Sequence, residues 1–248
     1  MSDIDFITPQ LIAKATALYQ QFRLSPESHL SVAHTEKIWL YRTYEGSDPI
    51  SSIDWRQSAR SQTLLVRAHE PIQIKTCLFT LVFAAQDFQE KPEDLFLRYK
   101  DTATILLALS YALANGQRKI GWITPERKRT KTLAALPALF QNGLHDTYNT
   151  QKEKSDDLAA IFAERSSKGK FVILSAQSGA DEKNTQHTLH TLASFGFQGL
   201  LFLNDADPAQ TLLEAAKRAQ WPVVTHRHDV PAAATLAQLF QISFPHTR

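Results

Sequence analysis

An α/β fold with a doubly wound, mostly parallel sheet is the class this sequence predicts, and three observations predict it. The run from Ile74 to Ala85, IKTCLFTLVFAA, is nearly continuously apolar with no alternation, as in a strand buried on both faces of a parallel sheet. From Pro92 to the last residues, helical and strand-like patterns alternate in strict order, which βαβ units with right-handed crossovers require. A length of 248 residues suits one such domain with an N-terminal helix and strand extension, and can bury a substantial core.

The elements follow in order. Thr8-Pro9 joins an N-cap to proline at the first helical position, and Leu11, Ile12, Ala15, Leu18, Tyr19 and Phe22 recur at helical spacing, predicting an amphipathic helix of about four turns. Residues from Leu24 to Thr35, rich in Ser, Pro, Glu and His without period, read as a surface loop. Gly46-Ser47-Asp48-Pro49 signals a turn. The run from Thr63 to His69 alternates, with Leu65 and Arg67 on one face and Leu64, Val66 and Ala68 on the other, so the turn feeds a strand. Beyond the Ile74 to Ala85 strand, Pro92 opens a helix with a wide stripe, Leu95, Phe96, Tyr99, Ala103, Leu106, Leu107, Ser110 and Leu113, stopped at Asn115-Gly116. Strands are then expected at Lys119 to Thr124, Lys170 to Ser175, Gly199 to Asn204 and Pro222 to His226. Helices are expected at Lys131 to Gln141, Asp156 to Arg165, Thr185 to Ser194, Pro208 to Ala219 and from Pro231. The division expected is an extension over residues 1–70 and an α/β domain over 71–248.

Charge and composition narrow the function. With 27 Lys+Arg against 25 Asp+Glu the net charge is +2, which recommends neither a nucleic-acid binder nor a membrane-surface protein. The basic run Glu126-Arg127-Lys128-Arg129-Thr130-Lys131 is short, lacks interleaved aromatics and reads as a solvated loop. The start of the chain lacks the basic flank and apolar core of a signal peptide, and no apolar run is long enough to span a bilayer. A single cysteine, Cys77, excludes an intramolecular disulfide framework and a cysteine metal cluster and fits a reducing compartment, so the cytoplasm is expected. Neither Gly-x-Gly-x-x-Gly nor Gly-x-x-x-x-Gly-Lys-Ser/Thr occurs, and Ser175 and Ser178 lack the glycine of a nucleophile elbow. No cofactor is expected.

One stretch departs from this ordinary pattern. Between Tyr41 and Glu70 the polar residues are too dense and irregular for an amphipathic element. Two readings stand side by side. Arg56, Arg60 and Arg67 with Asp48, Asp54 and Glu70 form an internal ion-pair network around Trp55, or some of these arginines face outward beside Trp55 as a partner surface, Trp and Arg being favoured interface anchors.

Tyr44, Gly46 and Asp48, then Ile53-Asp54-Trp55-Arg56, Ser58-Ala59-Arg60, Val66-Arg67 and Glu70 resemble the signature of the domain of unknown function 58 family. The family often has an arginine just before the Ile-Asp-Trp triplet, whereas Ser51 and Ser52 stand here. The resemblance implies a von Willebrand factor type A-like domain after the signature, and a protein-binding role beside a MoxR-type AAA+ ATPase. It also implies a metal-ion-dependent adhesion site, Asp-x-Ser-x-Ser after the first strand with a further carboxylate after a later one. Matched to this chain, those positions are Phe83, Ala85 and Asp87, with Ala176 later, so the site is expected to be degenerate and to hold no metal.

Ligands of doubly wound sheets collect at the carboxyl ends of the strands. His226 and His228 read there as an exposed strand-end pair, His187 and His190 as a solvated helix face, and Asp207 with Pro208 as a helix start. The expected function is a non-catalytic, metal-independent protein-binding or adaptor subunit. The alternative is a small-molecule hydrolase or other enzyme at the strand ends, with Asp87 or Asp207 and His226 as acid and base.

Overall fold

The computed structural model describes residues 5–24, 40–46, 48–61, 63–68, 76–116, 118–123, 129–152, 170–177, 182–204, 208–227 and 229–243. Two compact units are present, Leu30–Gln73, and Met1–His29 together with Ile74–Arg248. The helix expected at Asp156 to Arg165 and most of the loop from Leu24 to Thr35 lie outside the described residues.

The larger unit is an α/β sandwich on a six-stranded sheet in the order β5-β4-β3-β6-β7-β8, where β3 is Thr76–Val82, β4 Lys119–Trp122, β5 Arg129–Thr130, β6 Lys170–Gln177, β7 Gln198–Asn204 and β8 Val223–Thr225. All neighbours are parallel except β4 and β5. The sheet is doubly wound, Rossmann-like or von Willebrand type A-like, with β3 at its centre. All seven residues of β3 are buried, as an unalternating apolar run demands.

Alternate residues of the strands point into two cores. Cys77, Phe79, Leu81 and Phe83 enter the core beneath α3 (Pro92–Asn115), α4 (Leu136–Lys152) and α7 (Ala232–Ser243). Leu78, Val82, Val172, Leu174, Leu201 and Leu203 enter the other, beneath α5 (Glu182–Ser194) and α6 (Gln210–Arg218). The helix α1 (Pro9–Leu24) forms an outer layer over α3 and α7, with Tyr19 against Tyr111 and Phe22 edge-on to Phe240 at 4.9 Å. Its start is capped as expected, Thr8 Oγ1 accepting the Leu11 N–H. This extra layer explains why α3 is apolar around so much of its girth: Ile105 to Ala114 are buried without interruption.

Two departures from the expected pattern have local causes. Arg129–Thr130 forms a short antiparallel edge on β4 within a stretch that reads as loop, its charged residues suiting an exposed edge. The helix expected at Lys131 to Gln141 begins instead with a 3-10 turn, Leu133–Ala135, and runs as α4 from Leu136 to Lys152. It passes through Gly143 because the Trp122 indole lies against that glycine: a Cβ there would sit 2.2 Å from the ring. The indole N–H donates to Thr147 Oγ1, whose hydroxyl donates to the Gly143 carbonyl, both at 2.7 Å.

The smaller unit is built on an antiparallel pair, β1 (Leu40–Thr43) with β2 (Leu65–Ala68), in the register Leu40 to Ala68 through Thr43 to Leu65. Between these strands lie a 3-10 turn, Ile50–Ser52, and a two-turn helix, α2 (Trp55–Ser61). Among the described residues no helix is long and apolar enough to cross a membrane.

Candidate functional site

In a doubly wound sheet the crevice lies where strand order reverses, here at the carboxyl end of β3 between β4 and β6. It is filled. Phe83 and Ala84, which follow β3, are each 1% exposed. Phe83 lies 4.9 Å from the Tyr99 ring, 5.4 Å from Tyr148 and 5.9 Å from Phe6. Phe83 is thus packed as a plug over the end of β3.

Asp87, the one carboxylate among the matched metal-site positions, is wholly buried. It closes a 3-10 turn, Ala85–Gln89, against its own chain: Oδ2 accepts the Ala84 N–H at 2.7 Å and the Tyr99 hydroxyl, while Oδ1 accepts from the Arg98 guanidinium. Arg98 also donates to Glu90 Oε1. The electrostatics follow the packing. Burial raises the Tyr99 phenol pKa, and the neighbouring Asp87 charge raises it further. Burial and then Asp87 act the same way on Tyr148. Arg98 pays for partial burial, yet its hydrogen bonds and charge contacts with Glu90 and Asp87 hold it above its ordinary value.

These residues do not fit a divalent cation. Such an ion needs several oxygen ligands with free lone pairs. Phe83, Ala85 and Ala176 are residue types without side-chain oxygens, and the Asp87 oxygens already accept from three groups. Among the described residues no three His, Cys, Asp or Glu side chains are grouped to hold a metal.

An acid–base pair of Asp87 and His226 is not assembled either. His226, expected to be exposed, is 5% exposed, and its Nδ1 pairs with Thr235 Oγ1 at 2.9 Å. It follows β8, three strands from β3, a separation of about 14 Å across the sheet. Its burial follows from strand parity, since His226 shares the inward face of Val224 under α7. His228, Ser178 and Asp207 lie outside the described residues, and His187 and His190 are exposed as expected.

The second candidate is the signature segment, which the structure divides by role. Asp54 and Ser58 are buried at 6% and 7% exposure. Asp54 caps α2, Oδ1 accepting the Gln57 N–H at 3.1 Å, and its own N–H donates to the Leu65 carbonyl. Ser58 Oγ accepts the Leu65 N–H at 2.8 Å and donates to the Asp54 carbonyl at the same distance. With the Ile53 to Val66 bridge, these bonds fasten α2 to β2. Asp48 closes the turn, accepting the Glu45 N–H at 3.0 Å, and the Tyr44 N–H donates to the Leu64 carbonyl. Trp55, Arg56 and Arg60 face outward, Trp55 at 60% exposure, and neither arginine has an ion-pair partner among the described residues. The Arg67 side chain and Glu70 lie outside the described residues.

Sequence reasoning missed Arg98, Glu90 and Gln151, which complete the closure of the β3 end. Arg98 is flanked by Leu97 and Tyr99 on a helix face, with no motif to mark it, and only its spacing of eleven residues from Asp87 relates the two. No family model, no curated protein and no solved structure matches this chain.

Proposed function

We propose that this chain is a non-catalytic, metal-independent protein-binding or adaptor subunit. The observation that carries this reading is the closure of the β3 end, where Phe83 plugs the crevice and the buried Asp87 carboxylate accepts from Ala84, Tyr99 and Arg98 of its own chain. A doubly wound domain whose switch point is filled by its own side chains has exchanged the usual ligand position for packing, worth about 1.5–3 kcal/mol for a fully buried phenylalanine. The signature segment supports the binding half of the proposal, because it leaves Trp55, Arg56 and Arg60 outward on a helix fixed from behind. The resemblance of that segment to the domain of unknown function 58 family nominates a MoxR-type AAA+ ATPase as the partner and the cytoplasm as the place of work.

The test has two arms. Magnesium or manganese at millimolar concentration should leave the melting temperature unchanged, because an ion bound to the native state alone must raise it by mass action. A metal-dependent rise abolished by Asp87→Ala overturns the metal-independent reading. Pull-down with a MoxR-type ATPase encoded in the same genome should persist in chelator. Its absence at micromolar concentrations removes that ATPase as the partner.

A further inference from the structure

We infer that α2 is a recognition helix for an acidic partner segment, one that carries two carboxylates about one helical turn apart beside an apolar pocket. This rests on the protein-binding reading above and names the chemistry of the partner. Three observations carry it. First, of eight large apolar side chains exposed among the described residues, three, Ile50, Trp55 and Leu64, fall within fifteen residues of the smaller unit. Such a density of exposed apolar side chains in one small unit argues for an interaction surface, where single exposed leucines elsewhere do not.

Second, the charged side chains of α2 itself, Arg56 and Arg60, are of one sign and exposed. Arg56 and Arg60 are four residues apart, so they share one helix face with a rise of about 6 Å between them, and neither is neutralised by a described residue. Two guanidiniums on one face, without an ion pair among the described residues, are complementary to carboxylates at matching spacing. Glutamates at i and i+4 of a helix provide that spacing.

Third, the helix is prepared for contact. Left alone, seven residues do not hold a helix in water. Here the Asp54 cap, the double role of Ser58 Oγ and the Ile53 to Val66 bridge fix it to β2, and all three rest on buried residues. The ordering cost of the surface is therefore met before a partner arrives. Trp55 serves as the apolar anchor and the arginines give orientation and charge selection.

The experiment is a titration of the full chain with two helical probe peptides, one with Glu at i and i+4 flanking Leu, the other with Lys at those positions. Tryptophan emission and calorimetry report binding. The acidic probe should bind and blue-shift the emission, with Trp55→Phe losing the shift. Trp55→Ala should weaken binding about thirtyfold, and Arg56→Gln or Arg60→Gln about three- to fivefold each. Arg56→Glu with Arg60→Glu should reverse the preference to the lysine probe. Should the double reversal unfold α2 by circular dichroism, Arg56→Gln with Arg60→Gln must still abolish discrimination between the probes. Equal binding of both probes, binding of neither, or binding indifferent to Trp55→Ala overturns the inference. So does self-association in sedimentation that Trp55→Ala abolishes, which makes a second copy the occupant. Failure here with a metal-insensitive melt leaves the closed strand end standing and moves the partner surface elsewhere.

Discussion

Gln151 treats Phe83 as a neighbouring strand would: its Oε1 accepts the Phe83 N–H at 2.9 Å while its Nε2 donates to the Leu81 carbonyl at 2.7 Å. A side chain of α4 thereby pairs donor and acceptor at the point where β3 ends, and where a ligand-binding fold would ordinarily leave backbone groups to face its crevice.

Replacing Gln151 by Leu should therefore destabilise the protein although its volume is kept, because two backbone groups lose their partners. A cost of about 1–3 kcal/mol is expected, read as a lower urea midpoint with an unchanged slope. Gln151→Glu tests the donor alone: it retains an acceptor for Phe83 N–H but sets a carboxylate against the Leu81 carbonyl, and should be the worse of the two above neutral pH. An unchanged midpoint in Gln151→Leu would mean that water replaces the amide.

Asp87→Ala should cost about 3–5 kcal/mol, since it leaves the Tyr99 hydroxyl and Ala84 N–H unpaired and removes one carboxylate from Arg98. Asp87→Asn keeps an acceptor for Ala84 but places a neutral amide by the guanidinium, and should lie between wild type and Asp87→Ala. Adding Arg98→Met to Asp87→Ala should recover part of the loss, as removal of both members of a partly buried pair costs less than removal of the buried one alone. Equal additive losses in chemical denaturation would show that the two residues do not act together.

What was legible in the sequence was whatever local pattern and burial decide together. The β3 run could be read because both of its faces are covered, and α3 because its stripe persists for about five turns. Arg129–Thr130 was not legible, since two residues carry no period and are held as a strand only by the edge of β4. Nor was the extent of α4, where Gly143 resembles a stop but serves the Trp122 ring. At the site, the apolar character of Phe83 was sufficient to anticipate a packed strand end. The burial of Asp87 was not legible, because Arg98 and Tyr99 reach it from another element, α3, with no shared motif. In the signature, residue types announced ion pairs, yet only tertiary placement separates the buried cap Asp54 from the outward Arg56 and Arg60.

Alkaline pH should expose the core at Cys77. Burial pushes this thiol up from 9.0 to about 12, with Arg118 opposing the shift. Between those values the unfolded chain has lost the thiol proton and the folded one retains it. Stability from this group is thus complete below pH 9 and is lost as pH rises toward 12. Tyr99, also raised, adds to the same trend from above pH 10. Cys77→Ala should be less stable at neutral pH through its cavity, but its urea midpoint should decline less steeply above pH 9 than that of wild type. Identical slopes would assign the alkaline loss to other groups, and the thiol should resist alkylation in the folded protein at pH 8.

Asp54 and Trp55 are adjacent in sequence and should respond to mutation in opposite ways. Asp54→Ala removes the cap of α2 at a buried position, so a loss of about 1–2 kcal/mol is expected, confined to the smaller unit and read by hydrogen exchange of the Gln57 and Ser58 amides. Asp54→Asn or Asp54→Ser, which can also cap, should restore most of the protection. Trp55→Ala alters an exposed side chain with no backbone duty and should shift stability by less than about 0.5 kcal/mol. It also begins α2, where alanine is the better helix former, so any intrinsic effect favours the variant. A retained fold that loses partner binding in Trp55→Ala, set beside a loosened α2 in Asp54→Ala, would separate anchor from scaffold within one dipeptide. Substantial unfolding in Trp55→Ala would instead make the indole part of the small unit's own packing, and the outward arginines would then have no apolar centre around which to organise a contact.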